Sequence, residues 1–112
     1  MNARKKYAGS LDPRIHRMVR RIVQGFHPRQ VILFGSHARG QATPDSDVDL
    51  LVVMDVKGSK RAKAVAIGAA LHDVDLAKDV IVVRPGEYAW RRKMIGTIER
   101  PASQEGRVLY AR

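Results

Sequence analysis

Phe34-Gly35-Ser36-His37-Ala38-Arg39-Gly40, followed closely by Asp47-Val48-Asp49-Leu50, is the part of the chain that decides how the rest is read. It is preceded by Val31-Ile32-Leu33-Phe34, a short and wholly apolar run of the kind that forms a buried strand. Gly35 then lets the backbone turn through torsions that other residues avoid and lets a ligand approach the main chain. Ser36 can offer its hydroxyl and amide to phosphate oxygens at the start of a short helical segment. Downstream, a strand over Asp47–Met54 puts Val48, Leu50 and Val52 on one face and Asp47, Asp49 and Leu51 on the other. Two carboxylates so close repel, and one tends to hold a proton unless a cation offsets them. Magnesium takes oxygen ligands and often completes its shell with substrate phosphates. Separately, Gly-Ser is an ordinary strand ending and Asp-x-Asp is often a solvated surface pair. Joined by a short loop, they describe a place for a metal-bound nucleoside triphosphate.

The flanking sequence supplies a scaffold. Asp12-Pro13 opens a helix, the carboxylate capping it and proline suiting its first position. Ile15, Met18, Val19, Ile22, Val23 and Phe26 recur at helical spacing, and Gly25 and Pro28 mark the end. A short helical segment is expected from Ala38 to about Gln41, and a small-residue helix from Ser59 to Leu71. Val80-Ile81-Val82-Val83 reads as a third strand. Glu87–Met94 reads as helical, Thr97–Gln104 as a turn or helix disturbed by Pro101, and Val108-Leu109-Tyr110 as a short closing strand. Interleaved strands and helices predict an α/β (α+β) fold, a small sheet of three to four strands with helices packed mainly on one face. Asp-Val-Asp-Leu recurs at residues 73–76, which is too little for a structural repeat.

Length and composition bound the possibilities. The 112 residues make one domain, 1–112, with a modest core, and the basic residues 1–10 read as a flexible start. The absence of cysteine excludes a disulfide framework and thiolate metal sites. No apolar stretch approaches the roughly 20 residues that cross a bilayer, and no apolar signal core follows the basic start. A cytoplasmic protein with no membrane association is expected. The net charge of +10 is uneven. Residues 1–30 carry eight Lys/Arg against Asp12, residues 31–83 six against seven Asp, and residues 84–112 seven against three Glu. Carboxylates inside a positive field suit a site for a metal and a polyanion. The excess charge could equally meet RNA or an acidic protein, or simply be solvated.

Gly35-Ser36, ten intervening residues that include Ala38-Arg39-Gly40, then Asp47-x-Asp49 resembles the minimal nucleotidyltransferase domains of the DNA polymerase β-like superfamily. The closing Glu105-Gly106-Arg107-Val108-Leu109-Tyr110 is similar to the end of such domains, so the resemblance runs from about Val19 to Tyr110. It implies that Gly35 and Ser36 hold the triphosphate of ATP and that Asp47 and Asp49 bind magnesium, two ions in all. It also implies a third carboxylate, for which Asp79, just before the third strand, is the first choice and Asp75 the second. Asp79 would ligate the second ion and act as general base. Arg39 either neutralises phosphate or anchors the loop, and His37 occupies a variable slot of the motif. His27 and His72 read as helix-end or loop residues, and Tyr88 and Trp90 as packing residues.

Larger members of that superfamily carry a second domain, for which this chain has no room, so a partner or a second copy is expected to complete the site. Stand-alone domains of this kind resemble the antitoxins that transfer AMP to a tyrosine of a HEPN-type ribonuclease toxin. The resemblance therefore implies a magnesium-dependent adenylyltransferase acting on such a toxin. A non-catalytic binding subunit, and transfer to a small molecule or an RNA end, are the alternatives.

Overall fold

The first helix begins where the sequence chemistry puts it. In the computed structural model, which describes residues 11–112, helix α1 spans Pro13–Phe26. The Asp12 carboxylate caps it by accepting from the Arg14 backbone N–H at 2.9 Å, and proline occupies the first turn. Its apolar stripe is buried at Ile15, Met18, Val19 and Ile22, each such side chain contributing about 1.5–3 kcal/mol. The helix ends at Phe26. His27 takes the left-handed conformation at φ 52° and donates its N–H to the Val23 carbonyl, while Gly25 remains helical. Proline at position 28 cannot continue the helix, so the preceding residue becomes the cap. The basic residues 1–10 lie outside the described residues.

Strand β1 (Gln30–Phe34) follows, then β2 (Val48–Val53), helix α2 (Lys60–Ala70), β3 (Lys78–Val83), α3 (Pro85–Arg91), α4 (Glu99–Glu105) and β4 (Arg107–Ala111). The sheet order is β3-β2-β1-β4. β1 is antiparallel to both β2 and β4, whereas β2 and β3 run parallel, with α2 in the crossover. Ser59 caps α2 by accepting from the Ala62 N–H at 3.0 Å. The sheet is therefore mixed and four-stranded.

Both faces of the sheet are buried, which is why β1 reads as an unbroken apolar run. On one face Val31, Leu33, Val48, Leu50 and Val52 pack with α1 and with Ile67 and Leu71 at the end of α2. This face carries the two long helices, as the expectation of a one-sided layer required. The reverse face is more thinly covered. There Ile32, Leu51, Val53 and Val83 pack against Tyr88 of α3 and Ala102 of α4. Among the described residues no helix is long and apolar enough to cross a membrane.

One local reading changes, and the repeated quartet finds its place. Residues 36–40 form hydrogen-bonded turns and no helix, because Gly35 and Gly40, both at positive φ, bracket only a single turn of chain. The second Asp-Val-Asp-Leu lies in a turn tied to α1: Asp73 pairs with Arg21, and the Asp75 carbonyl accepts from Arg14.

Candidate active site

Three strand ends bring the candidate residues together. Gly35 follows β1, Asp49 is the second residue of β2, and Asp79 is the second residue of β3. In the parallel pairing of β2 and β3, Asp49 and Asp79 are direct register partners. Adjacent strands lie about 4.8 Å apart, and side chains at paired positions share a face. That face is the thinly covered one, since Asp49 shares it with Leu51 and Val53. Asp79 thus lies inside the strand, where the sequence placed it just before, because the polar Lys78-Asp79 pair hides the strand's start. Asp75 does not join the group. It is exposed in the turn before β3, and its charge acts on Arg14.

Gly35 and Asp49 are in contact. Gly35 sits at φ 75°, and a Cβ there would fall on the Asp49 carboxylate, 3.3 Å from its Cγ and closer still to Oδ2. A turn with amides available to an anion is therefore packed directly onto a carboxylate able to hold a cation. The turn is closed by Ala38 N–H donating to the Gly35 carbonyl at 3.1 Å and Gln41 N–H donating to the Ser36 carbonyl at 2.9 Å. Ala38 is buried beneath it, and Ser36 is half-buried at its start.

The electrostatics of Asp49 reflect its surroundings. Burial pushes its carboxyl above the usual value of 3.8, and the neighbouring charges of Asp79 and Asp47 add to the shift. His37 and Arg39 act in the opposite direction. Asp47 is exposed immediately before β2. Among the described residues, no three His, Cys, Asp or Glu side chains already enclose an ion-sized space. The donor set nonetheless fits a hard cation. It is made of carboxylate oxygens, it gathers like charge that His37 and Arg39 act against, and magnesium needs only one or two protein carboxylates when phosphates supply the rest. Of the three aspartates, Asp49 and Asp79, as register partners, would hold it, and it would supply charge neutralisation and Lewis acidity.

The loop between turn and strand is pinned internally. His37 Nε2 donates to the Ser46 carbonyl at 3.3 Å, and Ser46 Oγ accepts from the Thr43 N–H at 2.9 Å. His37 therefore sets the path of the chain into Asp47. Arg39 Nε donates to Gln41 Oε1 at 3.1 Å, and its guanidinium faces Glu105 at 3.8 Å. Tyr88 packs as expected, but Trp90 is 55% exposed. Two residues along a helix turn the side chain through about 200°, so burying Tyr88 directs Trp90 outward. Sequence reasoning also missed a cavity of about 480 Å³ beside β3, lined by Ile81, Val83, Arg91, Thr97, Ile98 and Glu99 among others. Its walls come from segments far apart in the chain, and only the paired charges of Arg91 and Glu99 hint at it.

A mixed sheet that sets a Gly-Ser turn against carboxylates on two adjacent strands is a scaffold for nucleotidyl transfer. The chain belongs to the nucleotidyltransferase domain family, whose model matches residues 15–103. A Methanocaldococcus jannaschii protein assigned as a protein adenylyltransferase is 30% identical over 90 residues, covering 73% of this chain and 78% of the relative. Solved structures share the fold. A Sulfolobus solfataricus protein assigned as a nucleotidyltransferase aligns with TM-score 0.55 at 24% identity, over 89% of this chain and 79% of its own. A mutant toxin–antitoxin complex, MntA–HpeT, aligns with TM-score 0.58 at 15% identity, over 87% and 73%. A toxin–antitoxin complex with AMP-PNP aligns with TM-score 0.55 at 18% identity, over 89% and 73%.

Proposed function

We propose that this nucleotidyltransferase is a magnesium-dependent protein adenylyltransferase that moves AMP from ATP onto a tyrosine of a HEPN-type toxin and so neutralises it. The observation that carries the reading is the register of Asp79 opposite Asp49, with Gly35 packed on the Asp49 carboxylate. This row runs from an anion-binding turn to a carboxylate able to take a proton. Gly35, Ser36 and Arg39 hold the triphosphate. Asp47 and Asp49 face the reacting phosphate, and Asp79 accepts the proton of the attacking hydroxyl. Similarity to an assigned protein adenylyltransferase favours a protein acceptor, and the fold shared with toxin–antitoxin complexes, one of them with AMP-PNP, favours a toxin and an adenine nucleotide.

The test incubates the purified protein with ATP, magnesium and the product of the adjacent gene, and follows that product's mass. The reading predicts one added adenylyl group on a tyrosine, absent with Asp79→Asn or Asp47→Asn although both variants fold. An unchanged mass, together with toxin neutralisation that survives Asp47→Asn, would instead make the chain a non-catalytic binding subunit.

A further inference from the structure

The proposed row has a direction across the sheet. Gly35 lies beyond β1, Asp49 on β2 and Asp79 on β3, a span of about 10 Å at ordinary strand spacing. In-line displacement requires the entering and leaving oxygens on opposite sides of phosphorus. With pyrophosphate held at the Gly35–Ser36 turn, the attacking hydroxyl must arrive from the far side of Asp79, which is the outer edge of the sheet.

Two features meet at that edge. β3 ends the sheet order, so among the described residues no strand pairs with its outer side. The cavity of about 480 Å³ lies beside it, within the roughly 300–1,000 Å³ typical of ligand pockets. Ile81, one of its lining residues, is two positions from Asp79 on the same strand face, about 7 Å away. The opposite wall is braced. Glu99 is only 4% exposed, and its carboxylate accepts from Arg91 Nε at 3.0 Å. The charges that line the cavity are paired, Lys60 with Glu87 and Arg91 with Glu99, but the segment that supplies this wall is apolar and basic: Ile95 is 87% exposed, Ile98 46% and Met94 43%, and residues 91–100 hold Arg91, Arg92, Lys93 and Arg100 against Glu99 alone.

We propose that this cleft is the acceptor site, where an extended, acidic segment of the partner protein lies along the open edge of β3 and delivers its tyrosine to Asp79. The inference rests on the protein-adenylyltransferase reading and adds to it where, and in what form, the acceptor binds. An unpaired strand edge offers the alternating N–H and C=O groups that an extended peptide matches. The apolar wall takes the aromatic ring, and the basic segment 91–100 takes the flanking carboxylates. At the end of the cleft the phenol oxygen bonds to the α-phosphorus of ATP as the bond from that phosphorus to the pyrophosphate oxygen breaks. The phenolic proton passes to the Asp79 carboxylate, and pyrophosphate leaves with the electron pair.

The variants Ile98→Asp, in the cleft lining, and Lys93→Glu, in the basic segment that walls it, change exposed side chains, so they should fold, which a thermal melt verifies. Steady-state transfer to the product of the adjacent gene should then show KM for that protein raised about tenfold or more, with ATP affinity close to wild type. Removing acidic residues beside the modified tyrosine should raise KM in the same way. Wild-type transfer matched within about twofold by both variants would overturn the cleft while leaving the adenylyltransferase reading intact. A wild-type protein that binds ATP yet transfers nothing to that product would overturn the reading, and the acceptor site with it.

Discussion

Asp49 carries the electrostatic tension of the proposed site. Burial first, then Asp79 and Asp47, raise its carboxyl above 3.8. A raised value means that the folded protein holds this proton more tightly than the unfolded chain does. Its contribution to stability is therefore fully present below 3.8 and is lost as pH rises through the folded value. At neutral pH the ionised carboxylate weakens the ligand-free protein. Asp49→Asn should accordingly melt higher than wild type at neutral pH, by about 0.5 kcal/mol for a largely solvent-screened charge. The difference should shrink toward zero as the pH is lowered to 3.8, while transfer of AMP is lost throughout. Melts of both proteins across that range check the sign. Gly35 supplies the companion prediction. Gly35 and Gly40 both adopt positive φ, but only at Gly35 would a new Cβ meet another atom, that of Asp49. Alanine at either position should cost about 1–2 kcal/mol in backbone strain. Gly35→Ala alone should also displace the carboxylate and lower transfer about 100-fold, the usual result of a 1 Å misplacement. Paired melts and transfer rates separate the two effects.

At the scale of elements, α1 holds the sheet face opposite the site, and its cap titrates with the reverse sign. The Asp12 carboxyl is lowered to about 2, chiefly because the Arg14 side chain donates to it and then because the Arg14 backbone N–H does. Stability from this group is present above 3.8 and lost as pH falls toward 2. Asp12→Ala should cost about 1 kcal/mol at neutral pH through loss of the cap, with the gap to wild type closing in acid. Urea midpoints at neutral pH and near 2 measure it. Elements with strong periodicity were legible in the sequence: α1 from its apolar stripe, and β1 and the apolar end of β3 from β-branched runs. The start of β3 was not, since Lys78 and Asp79 are polar residues on an edge strand. Nor was the choice between Asp75 and Asp79 open to local reasoning. The parallel register that sets Asp79 against Asp49 is fixed by how α2 crosses over the sheet, and that is a tertiary outcome. The Gly-Ser turn and Asp-x-Asp pair were readable because their chemistry depends on neighbours in sequence.

For the molecule as a whole, a chain of net charge +10 sets two aspartates, Asp49 and Asp79, side by side on adjacent strands. The cleft beside β3 was illegible in sequence because the exposure of Ile95 and Ile98 follows from packing α3 and α4 on the sheet, which no periodicity in seven-residue helices reveals. The basic segment 91–100 that walls it nonetheless adds to the chain's excess of positive charge, and that excess has a kinetic consequence. Long-range attraction accelerates encounter with an oppositely charged partner and is screened within about 10 Å at 0.1 M salt. Short-range contacts in a formed complex are screened less, so salt should act on association more than on dissociation. The association rate with the acidic partner should therefore fall about tenfold or more between roughly 0.05 and 0.5 M salt, while the dissociation rate changes less. Lys93→Glu should flatten that dependence, because it reverses a charge at the proposed point of contact. Stopped-flow association of the two proteins over a salt series checks both statements. A rate independent of salt would mean that the positive surface faces away from the partner. Salt-sensitive binding of unrelated RNA at comparable affinity would instead assign the charge excess to nucleic acid.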